Sequence, residues 1–285
     1  MKKLDLPAVD DNAVLTALAN NHRLTGTTYP HLRNKLTDVL TCYQLYIDEL
    51  GDALNITPLA ISANLEAGLK KNYKSPPKEL DFIDHIRKRA QLVCPMCGSF
   101  KPFSIDHILP KEDYPEFSVF SKNLVPACDC NSQRGTATKD VALGARVLHP
   151  YFDTCLRQRQ LSCSIVPAPA FPKAKLKVSY VNNGHVLINS LRFHVSKVVI
   201  PSGIMKWLDT QWGTLTELPA AVIQTLPHEE IASEQKLVDY LKDSLNRYDI
   251  SSGTPNNWNS IFIHGLLESP GVVPWIFVNH NQQYD

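Results

Sequence analysis

Apolar side chains in the first part of the chain recur at intervals of three and four. Leu32, Leu36, Val39, Tyr43, Ile47 and Leu50 follow this spacing, which gathers them on one face of an α-helix. Thr57 before Pro58 reads as a cap followed by a first-turn proline, and Ile61, Leu65 and Leu69 then mark the buried stripe of a second helix. Both stripes read as core. The run Lys74-Ser75-Pro76-Pro77 breaks the pattern and marks a boundary. Leu80, Ile83 and Ile86 then predict a helix leading into Cys94.

Past residue 155 the period changes. Leu176, Val178 and Tyr180 alternate with Lys175, Lys177 and Ser179, and Asn182-Asn183-Gly184 separates them from His185-Val186-Leu187-Ile188, which predicts a β-hairpin. Trp207, Leu208 and Trp212, and then Leu237, Tyr240, Leu241 and Leu245, return the chain to helix. The expected class is α+β, divided into a helical region over 1–75, a central module over 76–153 and a C-terminal α+β region over 154–285.

Composition narrows the class. The chain has 285 residues, 44% hydrophobic and 20% charged, with 12 Gly and 20 Pro. These values are those of a globular chain and exclude collagen-like or disordered sequence. No stretch approaches the roughly 20 apolar residues of a membrane span, and Met1-Lys2-Lys3-Leu4-Asp5 lacks the apolar run of a secretion signal. A cytoplasmic protein with no membrane partner is expected.

The formal charge is +1, but it is unevenly placed. From Cys155 to Lys206 there is no Asp or Glu among eight basic residues, whereas from Pro227 onward three basic residues face eight acidic ones. Lys173, Lys175 and Lys177 alternate along the predicted strand, so their ammonium groups are candidates to track a phosphate backbone, with a solvated strand edge as the alternative.

Four of the seven cysteines form two tight pairs, Cys94-Pro95-Met96-Cys97 and Cys128-Asp129-Cys130. Together they offer the four thiolates of a tetrahedral structural Zn²⁺ site. The second pair is one residue shorter than a CxxC. Either the turn absorbs the difference, or Cys128 gives way to another ligand.

Between the pairs lie Ser104-Ile105-Asp106-His107-Ile108-Leu109-Pro110-Lys111, then Tyr114-Pro115-Glu116-Phe117, then Asn123-Leu124-Val125-Pro126 and, past the second pair, Asn131-Ser132-Gln133-Arg134-Gly135. With the flanking cysteines this segment resembles the HNH, or ββα-metal, endonuclease family. Together with His149-Pro150-Tyr151-Phe152-Asp153 it is most similar to nucleases of Septu-type and retron-associated bacterial anti-phage defence. The resemblance implies an ββα-metal module within 76–153 and a metal-dependent nuclease acting on DNA. It also implies an ABC-type ATPase partner, and it assigns to Asn123 the orientation of His107.

The residue types fit that chemistry by themselves. Phosphodiester hydrolysis needs a deprotonated water, and the imidazole of His107 is the side chain suited to take the proton near neutral pH. A hard divalent cation, Mg²⁺ or Mn²⁺, takes oxygen ligands, which Asp106 and the amide of Asn131 offer. Lys111 and Arg134 adjoin the motif and are candidate nucleic-acid contacts. Two other readings stay open: an idle zinc module used as a nucleic-acid or protein-binding scaffold, and an RNase toxin built on the same motif.

Overall fold

A computed structural model describes residues 1–88, 91–100 and 102–284. The chain is α+β, dominated by helices, with three two-stranded antiparallel sheets among the described residues. The N-terminal part holds α1 (Asp11–Ala19), α2 (His31–Asp48), α3 (Ala63–Lys74) and α4 (Phe82–Lys88). The middle holds β1 (Ser104–His107), β2 (Leu124–Ala127), α5 (Cys130–Arg134), β3 (Lys139–Asp140) and β4 (Ala145–Arg146). The remainder holds β5 (Leu161–Pro167), β6 (Ala174–Tyr180), α6 (Ile188–His194), α7 (Ile204–Glu217), α8 (Pro219–Val222), α9 (Glu234–Ser252), α10 (Trp258–Glu268) and α11 (Val272–Asn281).

The predicted stripe on α2 is present: Leu32, Val39 and Tyr43 are buried, and Leu36 and Ile47 pack beside them. Leu50 departs from it, since the helix ends at Asp48 and Leu50 takes a positive φ of 52° and stands exposed. The second helix starts later than Thr57-Pro58 suggests. Its cap is Ser62, whose hydroxyl accepts from the Leu65 amide, and α3 begins at Ala63. Helix α4 forms around Ile83 and Ile86, and residues 89 and 90 of its predicted run toward Cys94 lie outside the described residues.

The predicted hairpin exists with a different partner. Strand β6 pairs with β5, which precedes it, in the register Leu161 to Tyr180 through Pro167 to Ala174. The segment after Asn182-Asn183-Gly184 instead enters α6 at Ile188. In the sequence the Asn-Gly turn signal outweighs the upstream partner, which alternates Leu161, Cys163 and Ile165 with serines but runs into Pro167 and Pro169. Helices α7 and α9 form where the apolar spacing places them.

Three apolar cores hold these elements. One unites α1 to α4 with Ile105, Leu109, Tyr114, Phe117, Phe120 and Leu124, so the N-terminal helices and the middle segment share an interior. A second surrounds the paired cysteines and takes in Phe193 and Val198 from the C-terminal part. The third lies among β5, β6 and the C-terminal helices. No single helix among the described residues is long and apolar enough to cross a membrane.

Candidate metal centre and adjoining cavity

The four paired cysteines converge. Their sulfur atoms all lie within 4.8 Å of one another, with Cys94 Sγ 3.7 Å from Cys130 Sγ and Cys97 Sγ 3.5 Å from Cys128 Sγ. Tetrahedral zinc with bonds of about 2.3 Å requires sulfurs about 3.8 Å apart, so the set has the dimensions to hold that ion. The shortened Cys128-Asp129-Cys130 spacing is absorbed because Cys128 directly follows β2 and Cys130 opens α5. All four residues are buried.

Backbone amides serve the sulfurs as well: the Cys128 amide donates to Cys94 Sγ and the Cys130 amide to Cys128 Sγ, each at 3.4 Å. The Cys94 to Cys97 turn is gripped from outside. Trp258 Nε1 donates to the Cys97 carbonyl at 2.9 Å, and His194 Nε2 meets the Met96 carbonyl at 2.7 Å. Gly98, at φ 80°, closes the turn so tightly that a Cβ there would lie 2.3 Å from the Asn256 carbonyl oxygen.

Strands β1 and β2 pair antiparallel, Ser104 opposite Ala127 and His107 opposite Leu124, and α5 follows directly. At the end of β1 is a cavity of about 360 Å³. Its lining includes Asp106, His107, Lys111, Asn131, Arg134 and Tyr73, so five of the predicted residues come together with one from the N-terminal region.

His107 is buried, and its Nε2 lies 2.9 Å from the Ser118 carbonyl. A carbonyl can only accept, so Nε2 carries the proton and Nδ1 is the unprotonated nitrogen. Burial pulls the imidazole down to about 4, against the raising effect of the Ser118 carbonyl, and the ring is neutral at pH 7.

Asp106 is buried as well. Its Oδ1 accepts from Arg134 Nη2 at 2.8 Å, while its Oδ2 is buried with no partner among the described residues. An unpartnered buried carboxylate oxygen is costly to maintain unless something binds it. Asn131 lines the same cavity from α5, where its Oδ1 accepts from the Ser132 amide and its Nδ2 reaches toward the Ile105 carbonyl. Asp106 and Asn131 are thus oxygen donors placed at one cavity. The cysteine set is the one cluster of three or more His, Cys, Asp or Glu ligands among the described residues.

Arg134, expected to face nucleic acid, turns inward. Its side chain is 1% exposed, and its guanidinium also donates to the carbonyls of His107 at 2.7 Å and Ala137 at 3.1 Å. It holds the site from behind.

Asn123 is fully buried, and its side-chain hydrogen bonds go elsewhere than the His107 ring. Its Oδ1 accepts from the Leu109 amide at 2.8 Å, and its Nδ2 donates to the Leu109 carbonyl at 2.9 Å and the Phe117 carbonyl at 3.3 Å. It therefore fixes both ends of the loop that brings the Ser118 carbonyl to His107.

Three contributors carry no motif in the sequence. Tyr46 of α2 donates its hydroxyl to Asn123 Oδ1 at 3.0 Å and also meets His149 Nε2 at 2.9 Å. Tyr73 packs edge-on against His107, ring centres 4.3 Å apart. Ser118 acts through its backbone oxygen, which no residue pattern reveals. Tyr46 and Tyr73 carry no sequence signal beyond that of aromatic residues three or four positions from a buried neighbour, Tyr43 and Leu69.

His149-Pro150-Tyr151-Phe152-Asp153 lies away from the cavity lining. Asp153 accepts both terminal nitrogens of Arg146, at 2.7 and 2.8 Å, and His149 binds Tyr46, so the segment braces the fold. Lys173, Lys175 and Lys177 are exposed on and beside β6, over the third core, and none lines the cavity.

No family model matches the chain, and no solved structure matches it. Among curated proteins it is similar to "Protein ea31" of Escherichia phage lambda, 28% identical over 169 residues that cover 54% of this chain and 57% of that protein. The chain thus spans a little over half the length of this relative.

Proposed function

We propose that the chain is a metal-dependent endonuclease that hydrolyses phosphodiester bonds of DNA, built on an HNH-type ββα module. One observation carries the reading: a neutral, oriented imidazole, His107, shares a cavity with a buried carboxylate oxygen, Asp106 Oδ2, that lacks a partner. The order of β1, β2 and α5 and the four-cysteine cluster support it.

Within this reading, Nδ1 of His107 is the general base that takes a proton from the attacking water. The Ser118 carbonyl stabilises the imidazolium that results, because it accepts from Nε2 in either protonation state. Asp106 and Asn131 would hold Mg²⁺ or Mn²⁺, a Lewis acid for the negative charge that develops on the phosphate oxygens. Arg134 holds the Asp106 carboxylate in place, and Asn123 acts through the loop that carries Ser118. The cysteine cluster would carry Zn²⁺ as a structural ion, tying the Cys94 turn to the start of α5.

The test is plasmid nicking by the purified chain in Mg²⁺ or Mn²⁺. His107→Ala should lower the rate about 10² to 10⁴-fold, the usual contribution of a general base. Equal cleavage by the variant would overturn the assignment. No cleavage by the wild-type chain, with zinc bound, would leave the scaffold reading; cleavage of RNA alone would move the substrate to the RNase reading. A place in anti-phage defence beside an ABC-type ATPase rests on the resemblance alone, and co-purification with such an ATPase checks it.

A further inference from the structure

The cavity lining takes one residue from the N-terminal helices, Tyr73. Tyr73, in the last turn of α3, stands against His107, and its hydroxyl reaches the Ile105 carbonyl at 3.4 Å. Two cations share its ring. The Arg87 guanidinium of α4 lies 5.3 Å from the ring centre and the Lys111 ammonium 5.8 Å. Arg87 is also anchored, because its Nη2 donates to the Tyr73 carbonyl at 3.0 Å.

Gathering two like charges on one aromatic ring is unfavourable unless anions lie near. The partners present are Asp84, 2.9 Å from Arg87, and Glu112, 3.0 Å from Lys111, with side chains 51% and 53% exposed. Exposed pairs of this kind contribute about 0 to 1 kcal/mol, so a stronger anion can displace them. A phosphate offers charge and several acceptor oxygens at once. The β6 lysines belong to a strand that packs on a separate core, and they contribute nothing to the cavity wall.

From this juxtaposition we infer that duplex DNA crosses the cavity on its Tyr73 side, with Arg87 and Lys111 each taking a backbone phosphate. The inference rests on the nuclease reading and adds to it that the N-terminal helices supply part of the substrate site. The β6 lysines are outside the path.

The experiment measures binding of a short DNA duplex against salt concentration, in a His107→Ala background so that the duplex stays intact. Each lost phosphate contact lowers the slope of log affinity against log salt by about 0.9. Arg87→Gln with Lys111→Gln should lower it by about 1.8. Lys111→Gln alone, which leaves the Arg87 anchor on α3 undisturbed, should lower it by about 0.9. Lys173→Gln with Lys175→Gln and Lys177→Gln should leave it unchanged. A wild-type slope in both Lys111 variants, or a fall confined to the β6 variant, would overturn the path while plasmid cleavage by the wild-type chain still stood. If the wild-type chain neither binds the duplex nor nicks plasmid, the nuclease reading falls and the path with it.

Discussion

Arg134 and Asp106 form an ion pair whose side chains are 1% and 7% exposed. Two charges so buried are stable only as a pair, and removing one strands the other. Arg134→Met should therefore lower stability by about 3 to 5 kcal/mol, read as a drop in the denaturant midpoint. A surface arginine contacting phosphate would lose affinity instead, with stability almost unaltered. Glu116 presents a different residue-level cost. Its Oε1 accepts from the Leu59 amide at 2.9 Å, its Oε2 has no partner among the described residues, and burial pushes its carboxyl from 4.5 up to about 7. The folded-state value is raised, so this carboxyl's contribution is fully present below about pH 4.5. It is lost as pH rises to about 7, because the unfolded chain ionises first. The loss approaches about 3 kcal/mol. Unfolding free energies from pH 4.5 to 7.5 should fall across that window, and Glu116→Gln should remove this fall. An unchanged pH profile in the variant would show that this carboxyl ionises in the fold as it does in the unfolded chain.

At the scale of elements, the sequence made some features legible and hid others for identifiable reasons. The stripes of α2, α7 and α9 could be read because buried helix faces repeat every three or four residues. The paired cysteines could be read because thiolates at such spacing have few other uses. Cap choice could not: Ser62 and Thr57 are equivalent in type, and it is the Ser62 hydroxyl that accepts from a first-turn amide, that of Leu65. Strand pairing could not be read either, although β5 alternates Leu161, Cys163 and Ile165 with Ser162 and Ser164, because the Asn-Gly turn after β6 is the stronger local hairpin signal. Asp106, His107, Lys111 and Asn131 line one cavity, yet the inward turn of Arg134 depends on carbonyls 26 and 27 positions away and on a carboxylate 28 positions away. The cysteine cluster gives the element-level prediction. If the cluster holds zinc as proposed, removing the ion should loosen the Cys94 turn and α5 together, because thiolate binding energy would be folding energy there. Cys128→Ser and Cys130→Ser should each release bound zinc at lower chelator concentration than wild type, by elemental analysis after dialysis. Full retention in the Cys128 variant alone would mean that three sulfurs suffice.

Across the whole molecule, apolar cores cut across the divisions read from composition. Ile105, Phe117 and Leu124 share the interior of α1 to α4, while Phe193 and Val198 pack beside the cysteines. A boundary drawn from proline runs marks where regular structure stops. It does not mark where burial stops, because burial depends on partners distant in sequence. The charge asymmetry was legible as a count but not as a surface: within the basic stretch, Arg159 is tied to Asp249 at 2.6 Å, whereas Lys173, Lys175 and Lys177 stay exposed.

The single hydroxyl of Tyr46 joins Asn123, 77 positions along the chain, and His149, 103 positions along. Contacts of such separation incur their loop-closure entropy before they are rewarded, which slows folding. The loop that presents Ser118 to His107 then has no route to open by itself, since Leu109 is clamped by Asn123 and Asn123 by Tyr46. Hydrogen exchange should report this as one kinetic unit. The amides of Leu109, bound to Asn123 Oδ1, and Tyr151, bound to His149 Nδ1, should share an opening free energy in the wild-type chain. In Tyr46→Phe the Leu109 amide should exchange ahead of the rest, and if it keeps pace with Tyr151 there, the hydroxyl is not the latch.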